Sequence, residues 1–133
     1  MDVIEMTRKL GVTIQEDPRY KTMQAAKAAI DTDEELQAIS AEMDSLQTQF
    51  NMLQMEQSTD EAQIEKLSKD FELKYRELMA NDTMAAYNVA RGEVDSLMND
   101  VMQILYLSVN GEDPMTAQPS EELLQAMQSG QLA

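Results

Sequence analysis

Histidine, cysteine and tryptophan are absent from this 133-residue chain, and each absence removes a class of chemistry. Without His there is no Ser–His or Cys–His nucleophile pair, no imidazole general base and no His-bearing zinc or di-iron site. Without Cys there is no disulfide, thiolate zinc site, iron–sulfur cluster or redox switch. Glycine (4), proline (3) and aromatics (Tyr20, Phe50, Phe71, Tyr75, Tyr87, Tyr106) are sparse, while Met reaches 12. Few breakers and many unbranched side chains favour helix over sheet. No stretch approaches the ~18 consecutive apolar residues of a membrane span. The opening Met1-Asp2-Val3-Ile4-Glu5 has no signal-peptide apolar segment. A soluble cytoplasmic protein is expected, and the missing thiols agree with a reducing compartment.

Basic residues are scarce: 10 Lys and Arg stand against 25 Asp and Glu, for a net charge of −15. The deficit is concentrated in two blocks. Residues 28–65 hold 10 acids and no base, and residues 92–133 hold 7 acids and no base, whereas 1–27 and 66–91 each carry a net +1. Such a surface repels phosphate, so direct contact with nucleic acid or insertion into an anionic membrane is not expected. Both acidic blocks keep their hydrophobic residues, unlike a disordered acidic tail.

The apolar spacing predicts an all-α fold, an antiparallel helical bundle or hairpin of about five helices, the third to fifth long and coiled-coil-like. A first helix from Asp2 to about Glu16 aligns Val3, Thr7, Leu10 and Ile14. Asp17-Pro18 fits an N-cap followed by Pro at the first helical position, opening a second helix to about Ile30. Its small face (Ala25, Ala26, Ala28, Ala29) suits close helix approach. Thr32-Asp33-Glu34-Glu35 reads as a capping box with Thr at the cap. The third helix carries an a/d seam of Leu36, Ile39, Met43, Leu46, Phe50 and Leu53. Ser58-Thr59-Asp60-Glu61 offers a second capping box, and a fourth helix follows with Ile64, Leu67, Phe71, Tyr75 and Leu78. Asn81-Asp82-Thr83 breaks it with residues that favour caps. A fifth helix carries Tyr87, Ala90, Val94, Leu97, Val101, Ile104 and Ser108, and Asn110-Gly111 stops it. Residues 1–110 are expected to form the helical domain. Residues 111–133 read as a linker, from Glu112 to Pro119, and one short helix capped by Ser120 and closed by Gly130, marginal unless it docks.

The third and fourth helices should pair as an antiparallel hairpin. At ~1.5 Å per residue these rods are too long for the first two helices to cover. The stripe of the fifth helix is also broadened by Met98, Met102, Leu105 and Leu107. Apolar surface wider than one neighbour covers points to a second chain, so a homodimer or higher homo-oligomer is expected. The candidate partner and oligomer interface comprises Leu36, Ile39, Met43, Leu46, Phe50 and Leu53 with Val94, Leu97, Met98, Val101, Met102 and Leu105.

Sites of chemistry are harder to find. Asp31, Asp33, Glu34 and Glu35 are the densest carboxylates and suit a hard cation in number, but they lack the glycine and distal Glu of an EF-hand. At a helix start they favour the macrodipole, which is the preferred reading. Glu93, Asp95 and Asp100 scatter over a helix surface. The four glycines are far apart, so no phosphate loop exists. Met52, Met55, Met98 and Met102 suit either an adaptable binding surface or ordinary core filling, and core filling is preferred. Lys66, Lys69, Lys74 and Arg76, interleaved with Asp70, Glu72 and Glu77, read as a salt-bridged face. No catalytic, cofactor or metal residue is assigned, and a non-enzymatic protein acting through protein contacts is expected. The runner-up is a chaperone-like or scaffolding hairpin with no link to RNA.

Several segments in order carry a family resemblance. These are Glu16-Asp17-Pro18-Arg19-Tyr20, then Asp33-Glu34-Glu35-Leu36-Gln37, then Leu78-Met79-Ala80-Asn81-Asp82-Thr83-Met84-Ala85-Ala86-Tyr87. The chain resembles the YlbF/YmcA family of bacterial helical regulators over about residues 1–110. Relatives often have Asn-Pro at the joint where this chain has Asn81-Asp82. Since Asp tolerates a first helical turn, the break should survive. The resemblance implies an oligomeric regulator that joins sister helical proteins and serves endoribonuclease Y in mRNA maturation, with effects on competence, sporulation and biofilm formation. The cluster-binding cysteines of some members are missing here, so no cofactor is carried over.

Overall fold

The computed structural model describes residues 2–57 and 60–130. Among the described residues there are six helices and no strand: α1 Val3–Glu16, α2 Pro18–Asp31, α3 Glu34–Met55, α4 Glu61–Ala80, α5 Asp82–Val109 and α6 Glu121–Ser129. Contacts cluster into two compact units, Met1–Ala90 and Arg91–Ala133, with the boundary inside α5.

In the first unit, α1 and α2 pack together across the single residue Asp17. Asp17 caps α2 by accepting the Arg19 backbone N–H at 2.9 Å, with Pro18 filling the first turn where no donor is missed. Of the face predicted for α1, Leu10 and Ile14 are half-buried while Val3 and Thr7 are exposed. α2 turns Tyr20, Met23, Ala26 and Ile30 inward. Ala25, Ala28 and Ala29 are exposed, so the small face does not set the helix approach.

The hairpin of α3 and α4 follows the predicted seam closely. Leu36 and Ile39 are 3 % and 4 % exposed, and Met43, Leu46, Phe50 and Leu53 are half-buried. Each fully covered side chain of this size contributes about 1.5–3 kcal/mol. On α4 the inward positions Ile64, Leu67, Phe71, Lys74 and Leu78 are again spaced by three and four, with Asp70 half-buried beside them. Tyr75, predicted in the seam, is 50 % exposed, and Lys74 takes its place. The Lys74 ammonium crosses to Glu42 of α3 and lies 3.2 Å from Glu77. Both carboxylates push its pKa up, Glu42 more than Glu77. A lysine fits a seam position because its stem packs and its head reaches the rim.

Two predicted caps shift by position. Asp33, not Thr32, caps α3: its backbone is extended and its carboxylate accepts the Leu36 N–H at 3.1 Å. Thr32 still has αR backbone and ends α2, its hydroxyl donating to the Ala29 carbonyl at 3.2 Å. At α4 the cap is Asp60, accepting from the Gln63 N–H at 3.2 Å. The expected Ser58 cap lies outside the described residues. The break between α4 and α5 is one residue, Asn81, which is buried. Its side-chain oxygen accepts the Met84 N–H at 3.0 Å, and Asp82 opens α5 as expected.

The second unit holds the remainder of α5, a turn and α6. Gly111 ends α5 with φ 95°, and the N–H groups of Gly111 and Glu112 donate to the carbonyls of Ser108 and Leu107, both at 3.1 Å. That double bond pattern is a Schellman motif, for which glycine's freedom at positive φ is needed. Asp113 then folds the expected linker into a turn, its carboxylate accepting the Met115 N–H at 3.0 Å. α6 forms as read, with Ser120 accepting from the Leu123 N–H at 3.1 Å and Gly130 left-handed at its end.

Candidate interaction surface

α5 is the longest helix, at 28 residues. Over residues 94–109 it carries three kinds of position. Val94, Leu97, Val101, Ile104 and Ser108, the predicted seam, are half-buried. Gln103 is 3 % exposed and accepts the Ser120 backbone N–H at 2.8 Å, which anchors α6. A buried amide with a partner costs little, whereas the same group unpaired would cost about 1–3 kcal/mol.

The third set is the surface of interest. Met98, Met102, Leu105 and Val109 are 37 %, 51 %, 48 % and 86 % exposed. Their spacing of four, three and four places them in one line along the helix. Arg91 and Asp95, on the same line one and two turns earlier, sit 3.9 Å apart as an ion pair, so charge enters only at the N-terminal end. Two of the four side chains are unbranched thioethers, which adapt to differently shaped partners.

The predicted interface residues therefore separate into three groups. Leu36 and Ile39 lie inside the hairpin and present no surface to a partner, because α4 covers the α3 seam. Met43, Leu46, Phe50 and Leu53 retain part of theirs, and Val94, Leu97 and Val101 are half-buried in the other unit. Met98, Met102 and Leu105 are about a third to a half exposed. Val109, which the reading of the sequence missed, extends their line. Its spacing of four from Leu105 was the available signal. The preference for core filling by methionine is overturned at Met52, Met55, Met98 and Met102, all exposed.

The acidic residues do structural work. Asp33 accepts from the Leu36 N–H, from the side chains of Thr83 and Asn81 and from the Glu35 N–H, and these bonds hold its pKa below the usual carboxylate range against modest desolvation. Glu34 and Glu35 occupy the first turn of α3. Asp17 is drawn down to about 2 by the Arg19 guanidinium, at 2.9 and 2.8 Å, and then by the Arg19 N–H. On α4, Lys69 pairs with Glu65 at 3.1 Å and Arg76 with Glu72 at 2.7 Å, as the interleaved charges suggested. Among the described residues no three carboxylates converge to hold a metal ion. No described helix is long and apolar enough to cross a membrane.

These features define an all-α helical bundle protein with an apolar, methionine-bearing line on its longest helix. The chain belongs to the family described as control of competence regulator ComK, YlbF/YmcA, whose profile matches residues 3–110, the span from α1 through α5. A chain of the X-ray crystal structure of Bacillus subtilis RicA in complex with RicF shares the fold, with a TM-score of 0.72 and 18 % identity. The match covers 82 % of this chain and 96 % of that one. No curated protein matches at a significant level.

Proposed function

We propose that this protein is a regulatory adaptor that binds other proteins along α5. Its partners in this reading are sister helical proteins and endoribonuclease Y, through which it directs mRNA maturation and, downstream, competence, sporulation and biofilm formation. It works without catalysis of its own, in the cytoplasm, and associates with itself. The single observation carrying the reading is the line Met98, Met102, Leu105 and Val109, each more than a third exposed to solvent. A run of large apolar side chains on one helix marks a binding surface, and a helix laid against it reads such three- and four-residue spacing. Membership of a competence-regulator family supports regulation as the purpose. The crystallised complex of RicA with RicF supports another protein as one kind of partner. The net charge of −15 supports contact with the enzyme rather than with its RNA.

The test is affinity capture from the native cytosol with tagged wild-type protein and with Met102→Glu/Leu105→Glu. Both substituted positions are about half exposed, so the variant keeps its fold. Wild-type protein is expected to recover endoribonuclease Y or a sister helical protein, and the variant to lose it. Recovery of neither by the wild type contradicts the reading.

A further inference from the structure

The chain has no thiol, which excludes a cysteine switch, and its 12 methionines are its only sulfur. The fold sorts these methionines into different settings. Met23, Met43, Met84 and Met127 are half-buried, where a thioether fills irregular gaps. Met98 and Met102 instead stand 37 % and 51 % exposed on the α5 line. They are four residues apart, about 6 Å along the helix, so both thioethers lie on one face. Their companions on the line, Leu105 and Val109, have no hydrogen-bond donor in their side chains. Asp95, three residues before Met98, is a carboxylate that only accepts, and Arg91 is turned toward it at 3.9 Å.

We propose that Met98 and Met102 form an oxidation-sensitive modification site, at which hydrogen peroxide makes sulfoxides and so releases the protein bound along α5. This rests on the reading of that line as a binding surface and adds its regulation. In the step, a thioether lone pair attacks one peroxide oxygen, the O–O bond breaks and an S=O bond forms. Sulfur gives up two electrons, and the other oxygen departs as water with both peroxide protons. A methionine sulfoxide reductase reverses the change: the oxygen leaves as water while the enzyme's thiol pair becomes a disulfide, with one enzyme for each sulfoxide epimer. The oxidised side chain carries a polar oxygen at the place where an apolar partner face meets the line. With no donor on the line to receive it, that oxygen is buried unpaired in the complex, which weakens binding about tenfold or more. The half-buried methionines are shielded from the reagent, so the surface changes while the helices persist.

The experiment treats the full chain with limiting hydrogen peroxide and reads the sulfoxide at each methionine by peptide mass spectrometry. Binding of purified endoribonuclease Y and of a purified sister helical protein is titrated before and after. Met98 and Met102 are expected to oxidise faster than Met23, Met43 and Met84, with helix content by circular dichroism unchanged. Affinity should fall about tenfold or more on oxidation and return after treatment with both reductases. Whatever affinity Met98→Leu/Met102→Leu has untreated, peroxide should leave it unchanged, because leucine keeps the volume and holds no sulfur. Met55→Leu/Met115→Leu replaces thioethers that are 85 % and 89 % exposed, neither of them on α5, and should lose affinity on oxidation as the wild type does. Oxidation of Met98 and Met102 no faster than that of Met43 overturns the inference. So does undiminished binding by the oxidised wild type, or an equal loss in Met98→Leu/Met102→Leu. Untreated wild type that binds neither protein removes the binding surface and the inference together, whereas binding that survives oxidation removes the inference alone.

Discussion

Asn81 closes α4, opens α5 and shares its side chain between the Met84 N–H and the Asp33 carboxylate. The start of α3 and the start of α5 are thus tied through Asp33 and Asn81, and the Thr83 side chain also donates to Asp33. Asn81→Ala removes the acceptor from a buried cap and is expected to cost about 0.5–2 kcal/mol. In a thermal melt this should lower Tm by roughly 2–8 °C, and an unchanged melt would show that the cap is dispensable. Asp17 makes a second prediction through pH. Its carboxyl is drawn from an ordinary 3.8 to about 2, so the folded state favours the ionised form. The contribution is present above the unfolded value and is lost as pH falls through the window from 3.8 to about 2. Urea midpoints should therefore drop across that window, and Asp17→Asn should flatten part of the drop. Equal slopes for wild type and variant would contradict the role given to the Arg19 pair.

The helices themselves were largely legible, because three- and four-residue spacing survives wherever one face meets a neighbour. The α3 seam from Leu36 to Leu53 is inward at every predicted position. The lapses have specific causes. Lys74 replaces Tyr75 in the α4 seam because an ammonium at the hairpin rim finds Glu42, a pairing across helices that single-chain periodicity does not carry. Thr32 lost its cap role to Asp33 because α2 runs one residue longer than its apolar pattern. Gln103 was missed altogether, since a lone amide on a helix reads as solvated until a neighbour covers it. Its bond to Ser120 is a polar anchor that ties α6 to α5. A nine-residue helix is marginal in water without such support. Gln103→Ala is thus expected to raise amide exchange over residues 121–129, with exchange in α3 and α4 unaltered. Exchange unchanged in α6 would mean that its apolar contacts alone hold it.

At the scale of the whole molecule, composition excluded more than it assigned. The missing His and Cys exclude imidazole and thiolate chemistry, and the net charge of −15 argues against RNA as a direct ligand, but neither names a surface. Which apolar residues are left over is visible only in the structure, where Leu36 and Ile39 are buried in one unit and Met98, Met102, Leu105 and Val109 are exposed in the other. No gel shift with RNA is expected even at low salt, where a phosphate-binding protein would bind most tightly. The central claim is that the α5 line is a protein-binding surface. An equilibrium titration of purified endoribonuclease Y and of a purified sister helical protein tests it most directly, against the wild type and against Met102→Glu/Leu105→Glu. The account predicts saturable binding of at least one of them to the wild type, weakened about a hundredfold or more in the variant. Equal affinity for both forms, or no binding to either, would contradict it.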